Sequence, residues 1–143
     1  MKSNPNIILS GFADEAANEK TAIEQFAAFA ALGLQYYSIR FIDVGQGVKN
    51  VMQLTKTEIN TIRHLQTDYG LEVSSIGSPI GKTKLLDKDD GTSNSFTPFK
   101  TYLSKDVYTA CDRAHAFGAK LIRGFSFYHP KGEAPEEHLP QVI

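Results

Sequence analysis

The sequence predicts an α/β protein of four β/α units with parallel strands, the first four units of a (β/α)8 TIM barrel. Three observations predict it. β-rich runs alternate with helical patterns along the chain. The same glycine-ended helix-to-strand joint is written three times, as Gly33-Leu34-Gln35-Tyr36, Gly70-Leu71-Glu72-Val73 and Gly118-Ala119-Lys120-Leu121. The strands also carry polar side chains, where a parallel sheet covered on both faces reads as an unbroken apolar run. At 143 residues, the whole of 1–143 is expected to belong to one domain.

The first strand is read at 7–12. The helix after it takes Ile23, Phe26, Ala27 and Ala30 as its apolar face, opened by Thr21 with Glu24 in capping-box spacing and ended by Gly33. The second strand, 36–42, alternates Tyr37, Ile39 and Phe41 on one face with Ser38 and Arg40 on the other. Its helix shows Ile59, Ile62, Leu65 and Tyr69 on one face, opened by Thr55 and Glu58 and ended by Gly70. The third strand, 72–78, contains Ser74 and Ser75. A third helix runs from Phe99 through Leu103, Val107, Cys111 and Ala114 to Phe117, with Pro98 suited to its first turn and Gly118 closing it. The fourth strand, 121–128, carries Arg123 and Ser126, and 133–139 reads as the loop and first turn of a fourth helix.

Polar side chains inside parallel strands need somewhere to point, and the lumen of a barrel supplies it. A complete barrel takes eight units, so four imply a half. The expectation is a strand order of 1-2-3-4 with the helices on one outer face. Such a half exposes two unpaired strand edges and apolar lining, so self-association, as in a homo-oligomer, or poor solubility is expected.

Apolar residues at 41% and charged residues at 22% are ordinary globular usage, which argues against a disordered or fibrous chain. Fifteen basic against sixteen acidic side chains, with no local Lys/Arg cluster, remove the attraction a nucleic-acid binder uses. Cys111 is the one cysteine, so no internal disulfide can form. The apolar run 7–9 is too short for a signal-peptide core or a membrane span, and a cytoplasmic protein is expected. There is no Gly-x-Gly-x-x-Gly after the first strand and no Walker motif, which weakens a nucleotide-binding reading.

Three stretches carry a family resemblance: Ser10-Gly11-Phe12-Ala13-Asp14-Glu15-Ala16, Val73-Ser74-Ser75-Ile76-Gly77-Ser78-Pro79-Ile80-Gly81-Lys82 and Ile122-Arg123-Gly124-Phe125-Ser126-Phe127-Tyr128. Together they resemble the amino-terminal half of bacterial sugar phosphate isomerase/epimerase proteins, the xylose isomerase-like barrels that also include endonuclease-IV relatives. The resemblance implies a metal-dependent enzyme that moves a proton beside a carbonyl of a small sugar or sugar derivative through an enediolate. It also implies a divalent metal (Mn, Mg, Co or Zn) held by two glutamates, an aspartate and a histidine. Those ligands are expected beyond residue 143, so no metal ligand and no catalytic residue is assigned within the chain. This segment alone is expected to be inactive. A metal-dependent phosphodiester hydrolase on the same fold, and a non-enzymatic small-ligand-binding α/β domain, are the competing readings.

Four residues are candidates for substrate binding. Arg40, at the end of the second strand, suits a bidentate oxyanion contact or, equally, an ion pair with a neighbouring carboxylate. Arg123 offers the same choice from deeper in its strand, where a structural ion pair is favoured. Ser78 and Lys82 follow the third strand on the presumed catalytic face, with Gly77 and Gly81 able to admit a ligand to the backbone or simply to make a turn. Asp14 and Glu15 could do acid–base work, but acids leading into a helix are common. The 79–97 connection is long enough for a binding loop, and its Asp87-Lys88-Asp89-Asp90-Gly91 cluster is read as a solvated mobile tip rather than a calcium loop. His64 and His115 fall within helices, His129 in a loop. Cys111 and His115 share a helical face, yet on an outer helix where a metal site is not expected.

Overall fold

The computed structural model describes residues 7–143. In chain order its regular elements are α1 (Ala22–Ala31), β1 (Tyr36–Ile39), β2 (Phe41–Ile42), β3 (Lys49–Asn50), α2 (Lys56–Asp68), β4 (Glu72–Ile76), α3 (Phe99–Thr101), α4 (Tyr108–Phe117), β5 (Leu121–Ile122) and α5 (Leu139–Val142). A π-helical segment, Tyr102–Val107, joins α3 to α4 without a break. The fold is α/β, with a parallel sheet ordered β1-β4-β5. Among the described residues the sheet does not close into a barrel.

The expected first strand is reduced to one parallel bridge, Phe12 to Ser38, with the Ser38 N–H donating to the Gly11 carbonyl at 2.7 Å. That bridge places 7–12 beside β1, so the four segments lie side by side in chain order. The expected second strand breaks at Arg40. Beyond it Phe41 and Ile42 pair antiparallel with β3, and the alternation fails there: Ile42 is buried and Phe41 is 38% exposed. The fourth strand is in the sheet at Leu121–Ile122, and beyond it Tyr128 makes an isolated parallel bridge to Lys84.

Glycine ends all three helices with one geometry. Gly33, Gly70 and Gly118 have φ of 71°, 65° and 70°. Each donates to the carbonyl three residues back, while the next residue donates five back, as in Leu34 to Phe29, Leu71 to Gln66 and Ala119 to Ala114. This Schellman pairing satisfies the last carbonyls and turns the chain directly into a strand.

The buried faces differ from the sequence periodicity in two helices. In α1 Ala22, Gln25, Phe26 and Phe29 are buried, whereas Ile23 is 59% exposed and Ala27 and Ala30 face solvent. Turning by one residue buries two phenylalanines instead of one, and Gln25 is satisfied by the carbonyls of Lys20 and Phe41, both at 2.8 Å. In the third helix the π segment shifts the register, so Ala110, Ala114 and Phe117 reach the core while Leu103 and Cys111 do not. The α2 face is as expected, with Ile59 and Ile62 buried and Leu65 and Tyr69 packed against the same core.

Helix α1 packs on α2 and α2 on α4. Their apolar faces meet Tyr37, Ile39, Val73 and Ile76 in one core. Tyr37 is fully buried, its hydroxyl donating to Gln66 Oε1 at 2.9 Å, and burial pushes its pKa far upward. The opposite face of the sheet carries serines. Ser10 and Ser74 are 2.5 Å apart and Ser38 and Ser75 2.6 Å, and Ser74 also donates to the Tyr37 carbonyl. A register shift between Tyr37 and Ser38 gives β4 one extra residue there.

The connection 79–97, whose 87–91 cluster is read from sequence as a solvated mobile tip, is tied down. Lys84 donates to Ser95, Leu85 to Tyr128 and Tyr128 to Thr83 through backbone bonds of 2.8–2.9 Å. Asp90 accepts from Lys84 Nζ at 2.8 Å, from Thr92, and from the Lys131 N–H, and the Lys84 contact foremost holds its carboxyl below the usual carboxylate range. Asp87 and Asp89 face solvent.

The α2 N-terminus supplies a pH test. Thr55 and Glu58 make a complete capping box, and Glu58 also holds Lys49 at 2.5 Å. The Lys49 contact, then the Thr55 N–H, lowers the Glu58 pKa from 4.5 to about 2. A carboxyl stronger in the folded state stabilises above its unfolded pKa and loses that contribution as pH falls through the folded one. The melting-temperature gap between wild type and Glu58→Gln is therefore full above pH 4.5 and closes towards pH 2. A gap constant over that range would show that the charge is unimportant. In α1 the box is half made: Thr21 caps Glu24, but the Glu24 carboxylate goes to the N–H groups of Asn18 and Glu19.

Candidate functional site

The four candidate side chains gather at the C-terminal ends of the parallel strands, where parallel α/β folds bind ligands. Arg40 stands just past β1, Ser78 and Lys82 follow β4, and Arg123 follows β5. Phe12, from the bridge segment, lies between the two arginines.

Arg40 is committed to an ion pair. Its guanidinium donates to Asp14 Oδ2 at 2.7 Å from Nη2 and 3.1 Å from Nε, to Asp14 Oδ1 at 3.3 Å from Nε, and to Glu15 at 2.9 Å. The Asp14 side chain is fully buried, and Lys20 Nζ also donates to the Asp14 carbonyl at 2.8 Å. The hydrogen bond to Asp14 is the main cause that raises the Arg40 pKa. The two acids suggested for proton transfer are thus held by cations.

Arg123 has no carboxylate partner among the described residues. It donates to the carbonyls of Ser78 at 3.2 Å and Gly77 at 3.3 Å. Burial, and then the charge of Arg40, lower its pKa. A guanidinium keeps its proton despite such a shift, so Arg123 is a fixed cation short of negative charge. Lys82 is exposed and also forms no ion pair among the described residues. Ser78 is fully buried, and its hydroxyl donates to the Arg123 carbonyl at 2.6 Å and accepts from the Ile80 N–H. That hydroxyl shapes the strand end, with its proton committed and its side chain closed off from solvent.

Three phenylalanines complete the group, and the sequence reading missed them. Arg40 lies 5.6 Å from the Phe41 ring and 4.6 Å from Phe12; Arg123 lies 5.0 Å from Phe12 and 4.9 Å from Phe125; Lys82 Nζ lies 5.7 Å from Phe125. Cations and rings alternate in a row across the strand ends, each cation set against a negative ring face. The available signal was a ring one or two residues from each arginine, Arg40-Phe41 and Arg123-Gly124-Phe125.

Gly77 and Gly81 belong to the frame of this site. A Cβ on Gly77 would lie 2.7 Å from Arg40 Cβ and 2.9 Å from the Phe12 ring; one on Gly81, at φ 76°, would lie 1.9 Å from the Phe125 carbonyl oxygen. They let the strand-end segments touch one another, which is the turn reading of these glycines. Phe127 nearby has φ of 68°, rare for a bulky residue, with its ring against Tyr102.

The strand-end donors do not fit a divalent ion. Asp14 is enclosed by Arg40 and Lys20, Glu15 holds Arg40, and four cations stand against two carboxylates. Elsewhere Glu133, Glu137 and His138 place donor atoms within 4.8 Å of one another, but Glu133 is already paired with Lys88 and with His138 Nε2. His64 and His115 are exposed on their helices, and His129 stacks on His138. No helix among the described residues is long and apolar enough to cross a membrane.

No protein-family model matches the chain, and comparison with curated proteins finds no significant match.

Proposed function

We propose that the chain supplies the first four β/α units of a barrel of the sugar phosphate isomerase/epimerase type, and that its strand ends hold the anionic end of a small sugar derivative. Arg123 carries this reading. It is a guanidinium fixed by two backbone carbonyls between two phenylalanine rings, with no carboxylate paired to it among the described residues. Lys82, across the Phe125 ring, adds a second cation that can swing onto a phosphate or carboxylate oxygen. The rings offer apolar faces for the C–H side of a sugar. Arg40 sets the geometry of the row by orienting Phe12, with its own charge spent on Asp14 and Glu15. Proton transfer beside a carbonyl needs acid–base groups and a metal that these strand ends do not provide, so this chain's part is binding and orientation.

Calorimetric titration of the 143-residue chain with sugar phosphates, sugar acids and inorganic phosphate tests the reading. A charge-assisted hydrogen bond is worth about 1.5–3 kcal/mol, so Arg123→Met should weaken binding roughly tenfold or more. Lys82→Met should weaken it less, with the melting temperature almost unchanged because the exposed ammonium forms no ion pair among the described residues and only a 5.7 Å contact to the Phe125 ring. Equal affinity in wild type and both variants, or no saturable binding at all, would remove the anion site.

A further inference from the structure

We propose that the small cavity beside Lys82 is a second ligand site, which takes a small zwitterion of the amino-acid class, carrying one ammonium and one carboxylate. The site goes beyond the anion row at the strand ends and does not depend on it, although Lys82 borders both.

The cavity has a volume of about 240 Å³ and lies between the turn after β4, the far end of the 79–97 connection and the π-helical segment. Its lining residues all fall between 52 and 106, inside the second and third β/α units. Sites for drug-sized ligands measure roughly 300–1,000 Å³. The occupant here therefore has only a handful of heavy atoms.

Charge names its class. Lys82 and Asp106 line the cavity together, and among the described residues neither forms an ion pair, with the other or elsewhere. Opposite charges that share a cavity without meeting each lack a counter-charge, and a ligand carrying both signs supplies both at once. A simple anion would answer Lys82 and be repelled by Asp106, and a simple amine would meet the reverse. A divalent ion would find one carboxylate and an ammonium, which is no donor set.

The uncharged groups suit the same occupant. Burial, and then the charge of Asp106, raise the Tyr102 pKa, while the Gly81 N–H acts the other way. The phenol therefore keeps its proton and can donate to a ligand carboxylate, and the hydroxyls of Ser95 and Thr97 can accept from a ligand ammonium. Met52 offers an apolar surface to a short aliphatic stem.

The walls are set in advance. The Ser95 carbonyl accepts from the Thr83 hydroxyl and from the Lys84 N–H, both at 2.8 Å, and the Tyr102 ring stands edge-on to Phe127 at 5.4 Å. Tyr102 and Asp106 both belong to the π-helical segment, a backbone irregularity frequent at functional sites. A wall already ordered spares the ligand the cost of ordering it.

Calorimetric titration of the 143-residue chain provides the test. The probes are free glycine, β-alanine and γ-aminobutyrate, which hold their two charges at increasing separation, against acetate and ethylamine, which carry one charge each. At least one zwitterion should bind saturably at a single site, with the single-charge compounds roughly tenfold weaker or more. Asp106→Asn and Lys82→Met should each weaken the zwitterion about tenfold, and Tyr102→Phe, which keeps the ring on Phe127, about threefold. Circular dichroism of all three variants should match the wild type. No saturable binding of any zwitterion, equal binding of a single-charge compound, or affinities indifferent to Asp106→Asn would each overturn the site. Inorganic phosphate titrated separately reads the anion row, so either site can fail without the other.

Discussion

Gly81→Ala should lower the melting temperature by about 10 °C, equivalent to roughly 3–4 kcal/mol in a domain of this size. The added methyl would lie 1.9 Å from the Phe125 carbonyl oxygen, a backbone atom that no rotamer change can move. Relief requires separating the turn after β4 from the segment after β5, which breaks the 2.9 Å bond from the Phe125 N–H to the Ile80 carbonyl. Overpacking of this kind costs about 1–3 kcal/mol, and a non-glycine residue at φ 76° adds about 1 kcal/mol more. Gly91→Ala is the matched control, because Gly91 has φ 72° and open space around its would-be Cβ. It should cost about 1 kcal/mol. Thermal unfolding of both variants separates contact from conformation, and equal losses would show that the approach to Phe125 is unimportant.

Asp14→Ala should cost about 3 kcal/mol, near the lower end for breaking a buried ion pair because the Arg40 side chain keeps 20% exposure. The Asp14 carboxylate is fully buried against Arg40, with Lys20 Nζ 3.5 Å away. Its removal leaves two cations facing each other and frees the guanidinium that stacks on Phe12. Glu15→Gln, at the exposed end of the same arginine, should cost no more than about 1 kcal/mol. Denaturant unfolding of the two variants gives the comparison, and a smaller loss for Asp14→Ala than for Glu15→Gln would contradict the assignment of Asp14 as the anchor.

The helix-to-strand joints were legible because their determinants are local. Gly33, Gly70 and Gly118 each follow an apolar periodicity, and a left-handed residue at that point needs no information from elsewhere. The Thr55–Glu58 box is equally local. Readings that depend on a partner fared worse. The stripe Ile23-Phe26-Ala27-Ala30 is as good a helical face as Ala22-Phe26-Phe29; the two share Phe26, and only the sheet beneath α1 selects the second. Likewise, 36–42 reads as one strand, yet Phe41 and Ile42 turn away at Arg40 to meet Lys49 and Asn50.

The candidate site divides in the same way. The sequence by itself determined that arginines, a lysine and small residues would gather at the strand ends, because a β/α unit puts whatever follows each strand on one edge. It also determined the α/β class and the parallel chain-order arrangement of the segments. The tertiary structure alone decided what each group is free to do. Arg40 is spent because Asp14, 26 residues earlier, is buried against it, whereas Arg123 finds only carbonyl hydrogen-bond partners among the described residues. Ser78 is consumed by the Arg123 carbonyl 45 residues later, and Phe12 joins the two arginines from the far side of the sheet. Charge neutralisation and ring stacking depend on distance in space, which spacing along the chain does not encode.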